Sequence, residues 1–186
     1  MDSSICIDWS VCANIAVALA TCFLALLTWK LSAATKKMAD EAKEGNERQL
    51  GVQTWLTFEE RFDSPRMLKS RRILAELLSR YNDPDNIMGH LHSAVTEEVL
   101  EMFESIGAVY NIGLLNEKLA ETSFGFHAVG WWQHAEKYIE NERNKQKDKE
   151  LFIHFQKFAT KMAKLIPNID MKQFVSDEMH LPRFDK

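Results

Sequence analysis

The sequence predicts an all-α protein: a single N-terminal transmembrane helix, a helical stalk and a cytoplasmic antiparallel bundle of four or five helices. Three observations predict it. The stretch Trp9–Trp29 carries no charge and is long enough to cross a bilayer. Beyond it, apolar residues recur at i, i+3, i+4 and i+7, and nowhere alternate as in a half-buried strand. Finally, 7 Gly and 4 Pro in 186 residues are too few turn formers for a protein of many short strands. That length suits one domain with an ordinary core plus an appendage, and excludes a large multidomain enzyme. With 23 Lys+Arg against 27 Asp+Glu the net charge is −4, so no basic excess draws the chain onto nucleic acid.

Residues 1–8 form a short extracytoplasmic arm, and 9–29 form the span. Asp2 and Asp8 are the only charges before Lys30. As a helix the uncharged run is about 31 Å long, the thickness of the hydrocarbon core. Trp9 and Trp29 stand at its two ends, where indoles favour the headgroup layer, and Lys30, Lys36 and Lys37 follow on one side. The positive-inside rule puts the N-terminus outside and the long C-terminal part in the cytoplasm. The arm has no basic residue, so a cleaved signal peptide is not expected. Ala13, Ala16 and Ala20 make a small-residue stripe with Asn14 beside it, a candidate self-association face within a membrane. All three cysteines, Cys6, Cys12 and Cys22, lie in this part, so the cytoplasmic part has no thiol for catalysis or metal binding.

Residues 30–51 read as a polar helical stalk. Lys37/Glu41, Lys43/Glu47 and Glu44/Arg48 are opposite charges four apart. The apolar seam Leu31, Ala34, Met38 and Ala42 breaks at Gly45, too short for a sustained coiled coil. The bundle spans 52–166. Trp55, Phe58 and Phe62 share a face of its first helix, which stops at Asp63-Ser64-Pro65, with Ser64 as N-cap and Pro65 opening the next helix. That second helix turns Leu74, Leu77, Leu78 and Tyr81 inward and ends before a loop at 82–95. Thr96 caps a third, acidic in its first turn at Glu97 and Glu98, with Val99, Phe103, Ile106, Tyr110 and Leu114 inside. Gly107 and Gly113 offer close approach to a neighbouring helix. A further helix runs from Glu117 to Arg143, bent near Gly125 or Gly130, with Trp131, Ala135, Tyr138 and Ile139 inward. After the charged turn Glu140–Glu150, a last helix places Phe155, Phe158, Met162 and Leu165 on one face and stops at Pro167. Residues 167–186 lack a period and read as a C-terminal tail.

No catalytic residue, cofactor site or metal site emerges. No Glu-x-x-His pair or His-Glu-x-x-His occurs, so neither a di-iron bundle nor a zinc protease is indicated. His90 and His92 are two ligands without a third, and His127 and His134 share a helix face as half-buried histidines. The glycines of Gly125–Gly130 have phosphate-loop spacing but no following Lys-Ser/Thr. Arg66, Lys69 and Arg72 line one side of a helix and are candidate contacts for anionic lipid or an acidic partner, or else a solvated face paired with nearby glutamates. Trp131 and Trp132 diverge by about 100° around a helix, so either both pack in the core against different neighbours or Trp132 is a candidate partner or lipid contact.

Several segments together resemble a known pattern. After a membrane span come Trp55-Leu56-Thr57-Phe58, Leu74-Ala75-Glu76-Leu77-Leu78, Phe103-Glu104-Ser105-Ile106-Gly107, Gly113-Leu114-Leu115, Phe124-Gly125 and Trp131-Trp132. The chain resembles, over roughly residues 9–160, a bacterial family of short membrane-anchored helical proteins known only as a domain of unknown function. The resemblance implies a bacterial inner membrane and carries no catalytic residue across. The function expected is a membrane-anchored scaffold, adaptor or regulatory subunit, with the bilayer, an unidentified protein or a second copy as partner. The alternatives are a tethered ligand sensor or enzyme using Tyr110, His127, His134 and Glu104, or a self-associating membrane effector.

Overall fold

The computed structural model describes the backbone of residues 9–80 and 94–182, with the side chains of 14–79 and 95–182. The arm 1–8 with Cys6, the side chains of Trp9, Cys12 and Ala13, Tyr81, and His90 and His92 lie outside the described residues. The described chain is all helical, with no strand. It divides into two compact units, Met1–Glu47 and Arg48–Lys186.

Helix α1 covers Trp9–Phe62 and takes in the apolar stretch 9–29, the polar stretch 30–51 and the first helix of the folded unit. Gly45 does not interrupt it, although an exposed glycine costs about 1 kcal/mol of helix relative to alanine. The ion pair Lys37–Glu41 (3.7 Å) precedes the glycine, Lys43–Glu47 (3.9 Å) spans it, and both support the helix.

In the second unit, α1 ends at Phe62. Ser64 Oγ accepts from the Met67 amide at 3.3 Å, and Pro65 opens α2 (Pro65–Arg80). Met67, Leu74, Ala75 and Leu78 of α2 are buried. Helix α3 spans Ala94–Asn111 among the described residues, so Thr96 lies inside it. Thr96, expected as its cap, is instead a buried residue of its first turn. Of its expected inner face, Val99, Phe103, Ile106 and Tyr110 are buried, and Leu115 rather than Leu114 completes it.

The two glycines of this region behave differently. Gly107 lies against the His154 carbonyl, where a Cβ has no room, so α3 and the helix at 153–165 approach through it. At Gly113 a Cβ would meet nothing within 4 Å, and its φ is +78°. It terminates α3: its amide reaches the Tyr110 carbonyl (2.9 Å), and the Leu114 amide reaches Val109 (3.2 Å). That 6→1, 5→2 pattern favours glycine at the left-handed position.

Asn116 caps α4 (Glu117–Ala120). A π-helical turn, Glu121–Gly125, leads from it into α5 (Phe126–Gln146), which places the expected irregularity at Gly125. Trp55 of α1 donates to Ser123 Oγ in this turn at 3.0 Å, and Ser123 donates to Glu59 of α1 at 3.0 Å. Phe62 then meets Phe103 and Phe124 edge-on, at 5.9 and 5.6 Å between centroids.

Helix α6 spans Ile153–Leu165. Phe152 before it is left-handed and offers no side-chain cap. Glu104 of α3 supplies one, accepting from the amides of His154 (3.3 Å) and Phe155 (2.7 Å). Phe155, Phe158, Ala159 and Met162 are buried, whereas Leu165 is 41% exposed. The backbone leaves the helix at Ile166 (φ −120°, ψ 74°), and the Ile166 side chain packs beside Gly125 instead. Residues beyond Pro167, read from the sequence as an aperiodic tail, contain a further helix, α7 (Met171–Met179), capped by Asp170. Its Phe174 and Glu178 are buried, and it packs chiefly against α2.

Candidate functional site under the C-terminal helix

Helix α2 carries an arginine in the middle of its apolar stripe. Met67, Arg71, Leu74 and Leu78 keep helical spacing on one face, and Arg71 is only 2% exposed. A guanidinium there needs a carboxylate, because an unpaired buried charge is strongly destabilising. Glu178 of α7, also 2% exposed, supplies it as a fork. Arg71 Nε donates to Oε2 at 2.9 Å and Nη2 donates to Oε1 at 2.7 Å. Nη1 reaches the Phe62 carbonyl at 3.5 Å, and the Phe62 ring centroid lies 3.9 Å from the guanidinium carbon.

His127 of α5 completes the cluster. Its Nδ1 lies 2.7 Å from Glu178 Oε1 and 3.3 Å from Arg71 Nη2. Carboxylate and guanidinium together assign the proton: Nδ1–H donates to Glu178, and Arg71, itself only a donor, is a neighbour. Burial pushes the Glu178 carboxyl up, but the hydrogen bonds and charges of His127 and Arg71 outweigh it and hold it below the usual range. Glu178 therefore stays ionised with its oxygens engaged, which makes it a clasp rather than a general base.

One turn before Glu178, Phe174 is fully buried. Its ring lies on Gly130, where a Cβ would strike it. Trp131 (5.1 Å) and Phe126 (5.6 Å) meet it near edge-on, and His134 stacks at 6.1 Å. Burial pushes the His134 imidazole below its ordinary pKa, and its Nε2 and the Trp131 Nε1 have no hydrogen-bond partner in the protein. A cavity of about 10 Å³, lined by Leu74, Leu78, Leu100, Trp131 and His134 among others, lies beside this cradle. It is no larger than one water needs.

Residues 15–162 match the family model described as a domain of unknown function (DUF4760). The chain belongs to the DUF4760 family. Its DUF4760 part includes Arg71, His127 and the cradle, whereas α7 lies past the matched residues. No curated protein and no solved structure matches the chain. The sequence segments quoted for the family become packing devices in the DUF4760 domain: Trp55 ties α1 to the π turn, and Glu104 with Gly107 docks α3 on α6.

The residues singled out from sequence fall in different places. Asn14, Ala16, Ala20, Trp29, Lys30, Lys36 and Lys37 are exposed on α1, as is Cys22. Arg66 is exposed but bonds Glu98 of α3 at 2.6 Å, and Glu98 also accepts from Ser70 at 2.7 Å. Arg72 lies 4.0 Å from Glu76 and donates to the Pro182 carbonyl at 3.4 Å, while Lys69 is exposed. The pairing differs from a free cationic stripe, because two of its three members hold acidic or carbonyl partners within the fold. A groove of about 330 Å³ beside Arg66 is lined by Arg61, Ser64, Met67, Glu97, Glu98 and Glu101. Trp132, a candidate partner contact by sequence, is only 8% exposed and meets Phe155 edge-on at 5.3 Å, so its indole belongs to the core. Glu104 is a helix cap and His127 is bound to Glu178. With Tyr110 beside Phe158 and His134 beside Phe174, the four groups of the ligand-site alternative do not converge. Among the described residues no group of three or more His, Cys, Asp or Glu is placed to hold a metal. Sequence reasoning missed Arg71, Phe174 and Glu178. The arginine inside an apolar stripe was the available signal.

Proposed function

We propose that the protein is a membrane-anchored helical scaffold, adaptor or regulatory subunit. It is held at a bacterial inner membrane with its N-terminus outside, and its C-terminal domain, an antiparallel helical bundle, is cytoplasmic. The observation that carries this reading is the apolar surface of α1. Ile15, Leu19, Phe23, Leu24 and Trp29 stand 55–69% exposed, and the whole apolar window, of mean hydropathy 1.8, is unburied. Such a surface calls for lipid or another apolar helix. The hydroxyls of Thr21 and Thr28 return to carbonyls one turn back at 2.8 Å, as polar groups facing lipid must. Lys30, Lys36 and Lys37 beyond the window support the inward orientation. In the folded unit the best-placed polar groups join helix to helix, which supports a binding role over a chemical one.

Native mass spectrometry of the full-length protein, extracted from its own host's membranes into nanodiscs, tests this. The expected result is a stoichiometric complex with a second protein. A bare monomer overturns the adaptor reading. A homo-oligomer redirects it to the membrane-effector alternative, which replacement of residues 9–29 by another apolar helix then decides: an adaptor survives the exchange and a membrane effector does not.

A further inference from the structure

We propose that the groove between α2 and α5, filled in this structure by α7, is a docking site for a partner helix presenting an aromatic residue and, four positions later, a carboxylate. The proposal narrows the adaptor reading and rests on it. Helix α7 itself shows what the groove selects. Phe174 and Glu178 lie one turn apart on the same face, one seated on Gly130 and the other on Arg71. The floor at Gly130 admits a flat ring and nothing between ring and backbone. The buried guanidinium demands a carboxylate from whatever covers it, so an apolar helix alone leaves a charge uncompensated. Anchors at i and i+4 from one helix into a groove are a recurring recognition mode.

The receiving surface and its present occupant also differ in kind. Arg71, His127, Gly130 and Trp131 lie within the matched DUF4760 residues, and α7 lies beyond them. At nine residues, α7 is too short to stay helical alone, so it orders only on docking. Pro167–Asp170 joins it to α6, which makes it a short tethered competitor for the groove. A partner helix of the stated chemistry gains the same two anchors when α7 leaves.

The test uses the full chain in nanodiscs and a fluorescent alanine-rich helical peptide with one Phe and one Glu at i and i+4. Variants of the peptide carry Phe→Ala, Glu→Gln or a spacing of i and i+5. The same titrations are run on the Phe174→Ala chain, whose own α7 competes less. The peptide is expected to bind the Phe174→Ala chain at least about tenfold more tightly than the parent, and each peptide change to weaken binding about tenfold. No binding to either chain, or binding indifferent to Phe and Glu, overturns the proposal. So does a homodimer, detected by native mass, that forms through α7 and is lost in Phe174→Ala, because the occupant is then a second copy. Should Phe174→Ala not fold, amide exchange of the parent decides. α7 amides opening while α3 stays protected supports a groove that can be vacated, and α7 opening only together with α3 overturns it. A stoichiometric partner in the membrane extract with no peptide binding sinks this proposal and leaves the adaptor reading standing.

Discussion

Glu178 clasps Arg71 across 107 positions of sequence, with both side chains only 2% exposed and two hydrogen bonds of 2.7 and 2.9 Å between them. The pair joins the C-terminal helix to α2 and sets the register in which Phe174 reaches Gly130. Its net contribution to stability is not the sum of those bonds, because both ions leave water to make them. Removing one partner and replacing both therefore have unequal effects.

Glu178→Ala leaves Arg71 buried without a carboxylate and is expected to cost about 3–5 kcal/mol. Arg71→Met combined with Glu178→Leu fills the same space with apolar atoms and is expected to cost far less. Denaturant unfolding of the two variants in detergent reads the difference. Equal losses would mean that packing, not charge pairing, holds α7.

Glu104 accepts from two amides at the start of α6, and Phe152, the residue at the cap position, supplies no side-chain acceptor. Glu104→Ala is expected to lose about 1–2 kcal/mol. Ser105→Ala, beside it, removes only a hydroxyl bonded to its own helix and is expected to stay within about 0.5 kcal/mol. Thermal unfolding of both variants checks the contrast.

Acid is expected to loosen the α7 dock in two stages. His134 has a folded pKa lowered by burial from 6.5, so the unfolded chain binds its proton first and stability falls as pH drops below 6.5. Glu178 is held below 4.5, so its contribution is present above 4.5 and is lost as pH falls through the lower folded value. Unfolding midpoints between pH 7 and 3 should show both declines. His134→Phe should remove the upper one and the Arg71→Met, Glu178→Leu pair the lower. An unchanged profile in both variants would place the acid-sensitive groups elsewhere.

Two glycines of one motif region should respond differently to alanine. Gly107→Ala drives a methyl into the His154 carbonyl and forces α3 from α6, with an expected loss of about 3 kcal/mol. Gly113→Ala meets nothing and suffers only its positive φ, with a loss of about 1–2 kcal/mol that Gly113→Asn should partly recover. Equilibrium unfolding of the three variants ranks them.

Much of the helical layout was legible because it is a one-dimensional signal. Ser64-Pro65 marks a helix start whatever surrounds it, and Val99, Phe103, Ile106 and Tyr110 repeat every three or four residues on their own helix. The candidate site was legible only in part. Arg71 betrays itself by interrupting the apolar stripe of α2. Glu178 gives no such sign, because a nine-residue helix with one fully buried aromatic has too few turns to establish a period.

The sequence by itself determined the helical class, the apolar stretch ahead of a basic flank, and the faces each long helix turns inward, because propensity, capping and periodicity act within a few residues of chain. The tertiary structure alone decided that Trp132 is core, that Glu104 caps another helix, that Gly113 serves a turn rather than a contact, and that Glu178 meets Arg71. Each of those outcomes depends on which atom of a distant segment arrives beside a side chain. The free energy of burying a charge, a ring or an amide is set by that neighbour and not by the residue's place in its own helix.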